Sequence, residues 1–224
     1  MKGKTFADKA QALQQEQQQN WELAAKNYAG LKKVKTREID FGSFSIRVQF
    51  NPERIRSTAA KVDKKSLSER PCFLCAKNRP AAQKAVDFGD TYQILVNPFP
   101  IFPEHYTIPT HAHTPQRILG SFGDMLALAQ ALSGSVVFSN GPRCGASAPD
   151  HLHFQAGNKQ FMPIDDEYGQ LKPQFRKLYD EGPLKVWGMP HYIRHFIALE
   201  SPGTRVLEAA FKLFYDLFAQ MLPY

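Results

Sequence analysis

Residues 135–156 read Ser135-Val136-Val137-Phe138-Ser139-Asn140-Gly141-Pro142-Arg143-Cys144-Gly145-Ala146-Ser147-Ala148-Pro149-Asp150-His151-Leu152-His153-Phe154-Gln155-Ala156. Ser135–Ser139 is apolar and β-branched at its centre, the pattern of a buried strand. Residues 140–147 are small and glycine-rich, so they read as a turn whose backbone can approach an anion closely. His151–Ala156 then reads as a returning strand. Side chains alternate along a strand, so His151, His153 and Gln155 share one face while Leu152 and Phe154 enter the core. Strand, turn and returning strand make an antiparallel pair.

Working outward, Tyr92–Val96 is a compact apolar run closed by Asn97-Pro98, and His105–Pro109 is a shorter one. A helix is expected next, with Thr114 as cap, Pro115 at its first position and Gly134 beyond its end. Its stripe is Ile118, Phe122, Met125, Ala129 and Leu132. Further upstream, residues 38–41 and 44–50 alternate around Gly42-Ser43 as a hairpin, and residues 53–70 read as a long loop. Residues 6–33 predict one helix, striped by Phe6, Ala10, Leu13, Gln17, Trp21, Ala24, Tyr28 and Leu31. Glutamines crowd its middle, so it is expected to pack with both ends or to dock on a partner subunit in a homo-oligomer. Downstream, residues 185–189 and 193–199 are strand candidates, and a helix near 203–221 closes the chain. This order predicts an α+β fold with an antiparallel sheet and flanking helices, not a doubly wound one. Residues 1–35 are expected to be an N-terminal helical extension and residues 36–224 the main domain.

Composition agrees. The chain has 224 residues, 43% hydrophobic and 12% aromatic, which excludes a disordered chain. No apolar run is long enough for a membrane span, and the polar N-terminus lacks a secretory core, so a cytoplasmic address is expected. The net charge of +7 suits phosphate-bearing ligands. Its basic residues are dispersed, with small clusters only at Lys32, Lys33 and Lys35 and at Lys61, Lys64 and Lys65. This argues for a solvated basic face over a nucleic-acid surface.

Two constellations carry chemistry. Imidazole is well suited to attack phosphorus near neutral pH, and a glutamine amide can donate to a phosphoryl oxygen without competing as a nucleophile. His151 and His153 also fit a pair of metal ligands or two satisfied strand histidines. Cys72-Phe73-Leu74-Cys75 has the spacing that lets two thiolates reach one tetrahedral zinc. A redox pair needs a helix starting at the motif, which Lys77, Arg79 and Pro80 disfavour; two free thiols are the remaining alternative. His105 reads as a loop histidine, and His191 and His195 as surface or sheet-edge histidines. Trp21 and Trp187 read as packing residues.

The segment His151–Ala156, with Asn97–Ile118, resembles the transferase branch of the histidine-triad superfamily. That branch holds galactose-1-phosphate uridylyltransferase, GDP-L-galactose phosphorylase and diadenosine tetraphosphate phosphorylase. The likeness spans about residues 70–200, with specific motifs in three short blocks. It implies a HIT-like fold and nucleotidyl transfer or phosphorolysis on a nucleoside-diphosphate sugar or dinucleoside polyphosphate. Phosphate or a sugar phosphate would be the acceptor. His153 would be the nucleophile and Gln155 the support of the nucleotidyl-histidine intermediate. Asn140 and Ser147 would bind phosphate, while Asn97 and Phe99 would hold the nucleoside. The interval from Ser147 to His151 is about one residue longer than in the uridylyltransferase. A structural zinc would take Cys72, Cys75, His111 and His151, with His113 competing with His111. Arg194 or Lys185 are candidates for a second phosphate. Gln155, where the hydrolase branch has a third histidine, implies transfer. The alternatives are a hydrolase on the same scaffold, a zinc module binding nucleic acid, and a catalytic metal on His151 and His153.

Overall fold

The computed structural model describes residues 3–42, 44–54, 62–189, 192 and 195–221. It is α+β with antiparallel sheets, as the sequence predicts. Ser43, Lys61, His191 and Arg194, named above, lie outside the described residues, as does part of the 193–199 candidate strand.

The expected N-terminal helix is two helices, α1 (Phe6–Asn20) and α2 (Glu22–Gly30). Thr5 opens α1 with a reciprocal capping box: its Oγ1 accepts the Asp8 N–H, and Asp8 accepts the Thr5 N–H. The helix breaks at Trp21, whose backbone is extended and whose ring is buried. The weak stripe at the glutamines has a cause. Gln17 is fully buried and spends its amide on the Ala82 carbonyl and the Lys84 N–H.

The hairpin forms as β1 (Lys35–Asp40) and β2 (Ser45–Phe50). The 53–70 stretch is not all loop, because α3 (Lys64–Glu69) starts at Asp63, whose carboxylate caps it. The central sheet has the order β3-β4-β5-β7-β6, where β3 is Ala85–Phe88, β4 Tyr92–Val96, β5 His105–Pro109, β6 Ser135–Phe138 and β7 His153–Asn158. Between β5 and β6 lies α4 (Phe122–Ala131), shorter than expected. Residues 114–116 are held by the histidine segment instead: Leu152 N–H donates to the Thr114 carbonyl and Gln116 N–H to the Pro149 carbonyl. A chain bonded sideways in this way cannot wind into a helix. After β7 come α5 (Pro163–Leu171), a second sheet of β8 (Arg176–Glu181), β9 (Leu184–Gly188) and β10 (Ile197–Glu200), and α6 (Thr204–Met221). None of the described helices is long and apolar enough to cross a membrane.

One core joins the first helices to the central sheet. Ala10, Leu13, Trp21, Ala24 and Tyr28 pack with Tyr92, Ile94, Val96, Tyr106, Ile108 and Phe154. Each fully buried aliphatic or phenylalanine side chain among them, such as Ile94, Val96, Ile108 or Phe154, contributes roughly 1.5–3 kcal/mol of transfer free energy.

Gly157, in the middle of β7, is required by packing. A Cβ there would lie 2.5 Å from the ring of Phe102, itself buried. Gly157→Ala must therefore displace an aromatic ring in a closed core, and a loss of about 1–3 kcal/mol is expected, read by urea unfolding.

Candidate active site and metal centre

β7 begins at His153, not at His151. His151 sits in the bend before it, off the strand alternation, so the expected shared face of three polar groups holds only for His153 and Gln155. His151 turns the other way, towards the cysteines. The core half of the expectation stands: Leu152 and Phe154 are buried.

His153 is buried and its Nδ1 lies 2.8 Å from the His151 carbonyl oxygen. A carbonyl only accepts, so Nδ1 carries the proton and Nε2 keeps its lone pair. Burial pushes the ring below the usual histidine range, which favours the neutral form. Gln116 clamps this strand. Its Oε1 accepts the His153 N–H at 2.7 Å, and its amide donates to the carbonyls of His153 and Asn140, both at 3.0 Å. One buried side chain therefore ties the histidine to the glycine-rich turn.

A cavity of about 510 Å³ opens over this strand. His153, Gln155, Asn97, Phe99, Asn140 and Ser147, the six residues singled out in the sequence as catalytic or substrate-binding, all line it. Asn97 is held by its Nδ2 donating to Thr107 and its Oδ1 accepting the Phe99 N–H. Asn27 of α2 donates to the Pro98 carbonyl at 2.7 Å and so pins the same segment from outside. The turn is left-handed at Gly145, φ 85°, where a side chain would be strained.

Sequence reasoning missed several lining residues. Arg54 and Arg70 bring positive charge to the wall. They come from the polar, charged stretch read as a long loop, and no local pattern singles them out. Arg70 donates to the Ser147 carbonyl at 2.8 Å and stacks over the Phe73 ring at 5.1 Å. Trp21 is a packing residue, as expected, but it also lines the cavity with Leu23. Lys185 lies on β9 and is not among the lining residues.

His105 is not a loop residue. It is a buried member of β5, and its Nε2 lies 3.0 Å from Gln155 Oε1. Burial depresses its pKa to about 4, so the ring is neutral in ordinary buffers. Its position on an apolar alternating strand was the available signal.

Beside the cavity, Cys72, Cys75, His113 and His151 bring four ligand atoms within 4.8 Å of one another, and they could hold a metal ion. His151 Nδ1 lies 3.3 Å from Cys72 Sγ and 3.6 Å from Cys75 Sγ. Its Nε2 donates to the Thr110 carbonyl at 2.9 Å, which leaves Nδ1 as the free donor atom. Desolvation of His151 is outweighed by the Cys72 thiol and the Thr110 carbonyl, so its pKa is raised, and Cys72 is correspondingly lowered despite its burial.

The histidine from the 109–113 stretch is His113, with Nδ1 3.2 Å from Cys75 Sγ, and not His111. His111 continues the edge of β5: its N–H donates to the Thr91 carbonyl, and its ring faces Asp87 at 3.6 Å. The Thr110 hydroxyl then closes a turn on the Ala112 carbonyl, and the chain swings His113 back to the cysteines. His113 Nε2 sits 3.4 Å from Asp150, a carboxylate behind an imidazole ligand.

A comparison with curated proteins finds no match. Among solved structures, the chain is similar to yeast Ap4A phosphorylase Apa2 in complex with AMP, at 18% identity and a TM-score of 0.47, covering 89% of this chain and 72% of that one. The same enzyme in complex with Ap4A gives 18% identity, a TM-score of 0.48, and coverage of 92% and 73%. A family profile described as "Domain of unknown function (DUF4922)" matches residues 13–158, and that stretch holds every cavity and metal-site residue described above: the chain belongs to this family.

Proposed function

We propose that this chain is a nucleotidyltransferase or phosphorylase of histidine-triad type, acting on a nucleoside-diphosphate sugar or a dinucleoside polyphosphate. The observation that carries the reading is the tautomer of His153. With Nδ1–H spent on the His151 carbonyl, Nε2 is the nucleophilic nitrogen left on a ring that lines an arginine-bearing cavity.

In the first step the Nε2 lone pair attacks the α-phosphorus. The bond from phosphorus to the bridging oxygen breaks, and the distal group leaves as a phosphate or sugar-phosphate anion, with little need for a proton. In the second step a phosphate oxygen of the acceptor attacks the nucleotidyl-His153, the N–P bond breaks, and Nε2 recovers its lone pair. The Gln155 amide and donors of the 140–147 turn stabilise charge on the non-bridging oxygens. Arg54 and Arg70 supply an electrostatic background for a polyphosphate.

Cys72, Cys75, His113 and His151 suit zinc by donor chemistry: two thiols, two imidazole Nδ1 atoms, and an acceptor behind each imidazole, the Thr110 carbonyl for His151 and the Asp150 carboxylate for His113. Bound zinc would act structurally, tying the 72–75 segment to the bend that launches β7. Using His151 in this way argues against a catalytic metal on His151 and His153 together.

The test is a screen of nucleotide sugars and dinucleoside polyphosphates with and without phosphate. Product release is expected to depend on phosphate or a sugar phosphate. Equal rates without either acceptor would make the chain a hydrolase. Salt-sensitive binding of DNA or RNA without turnover would favour the nucleic-acid reading instead.

A further inference from the structure

We propose that His105 is a positioning residue that fixes which end of the Gln155 amide faces the cavity. The inference rests on the reading of Gln155 as a donor to phosphoryl oxygens. A glutamine amide presents an acceptor one way round and two donors the other, and the two are nearly isosteric. Only the donor end stabilises an anionic phosphoryl group; the acceptor end repels it. Something must hold the choice.

The bonds around His105 do so in sequence. The Ile101 backbone N–H donates to His105 Nδ1 at 3.2 Å, and a backbone N–H can only donate. Nδ1 is therefore bare, and the ring proton is on Nε2. Nε2–H then donates to Gln155 Oε1 at 3.0 Å. With Oε1 held, the amide N–H₂ is the end left for the cavity, which Gln155 lines and His105 does not.

The ring itself cannot drift. Phe102 packs edge-on against it at 5.1 Å, and Phe102 occupies the space that Gly157 leaves open opposite His105. The His105 carbonyl is held as well, accepting from Asn97 N–H and from the Tyr28 hydroxyl. Burial keeps the ring neutral, so the direction of the hydrogen bond does not reverse in ordinary buffers.

The first measurement needs no substrate. In the full chain with ¹⁵N-labelled histidine, the ring nitrogens of His105 are expected to report an Nε2–H tautomer, and those of His153 the opposite one. A His105 Nδ1–H tautomer would overturn the proposal. The second measurement compares His105→Gln, whose amide can still donate at the reach of Nε2, with His105→Phe, which keeps the volume and loses the donor.

The Gln155 side-chain amide signals, assigned with Gln155→Asn, should stay resolved in wild type and His105→Gln and collapse towards free-glutamine shifts in His105→Phe. In turnover, His105→Phe should lose about 10- to 100-fold in kcat with KM changed less than about threefold, and His105→Gln should recover most of it. In a Gln155→Ala background, His105→Phe should cost nothing further. Equal losses in both His105 variants, or an undisturbed amide in His105→Phe, would sink the proposal and leave the proposed function standing. A chain inactive on every substrate, but with the expected tautomer and amide behaviour, would sink the proposed function and leave the positioning role standing.

Discussion

Replacing His153 by Asn should lower phosphate-dependent turnover about a thousandfold or more, with the chain still folded. Asparagine is the informative choice because its amide can mimic the Nδ1–H that donates to the His151 carbonyl. The bend and the start of β7 then keep their bond, and only the nucleophile is lost. Thermal unfolding should shift by a few degrees at most. Wild-type chain incubated with α-labelled nucleotide should carry an acid-labile, alkali-stable label, and His153→Asn should carry none. A variant that retains both label and rate would place the nucleophile elsewhere in the cavity.

The second large effect concerns metal. The full chain purified from zinc-supplemented medium is expected to contain about one zinc per chain by elemental analysis. Cys72→Ser and His113→Ala should lose most of it, whereas His111→Ala and Cys144→Ser should keep it. His111 faces Asp87 and Cys144 is an exposed cysteine that is not a member of the cluster, so both serve as controls. Loss of the metal should lower Tm by about 10 °C, since a site that bridges two chain segments couples binding to folding. Retention of zinc in Cys72→Ser with loss in His111→Ala would reverse the ligand assignment.

The parts of the site visible in the sequence are those whose chemistry is local. A two-residue cysteine spacing, a glycine-rich turn and alternation along a strand are short-range patterns, and they marked Cys72, Cys75, His151, His153 and Gln155; Asn97, Phe99, Asn140 and Ser147 came from the family resemblance, and with His153 and Gln155 they line one cavity. The strand pair β6 and β7 and the closing helix were legible for the same reason. What escaped depended on contacts distant in sequence. His111 and His113 differ only by a turn that the Thr110 hydroxyl closes, so spacing could not choose between them. The helix expected from Thr114 failed because backbone groups of 149–152 claim residues 114–116. Arg54 and Arg70 reach the cavity from a stretch with no periodicity, and Gln17, polar and fully buried, carries no sign in composition that the Ala82 carbonyl awaits it. His105 was misread because a histidine in an apolar run looks like the end of a strand when it is a member of one.

The break between α1 and α2 has a consequence for the limits of the working unit. The residue at that break, Trp21, and its neighbour Leu23 are wall as well as scaffold, and Asn27 braces the segment opposite. A shortened chain starting at β1 would not merely lose two helices from its outside. It would strip Trp21 and Leu23 from the cavity wall, bare Ile94, Val96 and Ile108 to water, and leave the Asn97–Phe99 segment without its outer brace. The segment from Trp21 to Asn27 therefore belongs to the cavity as much as to the scaffold.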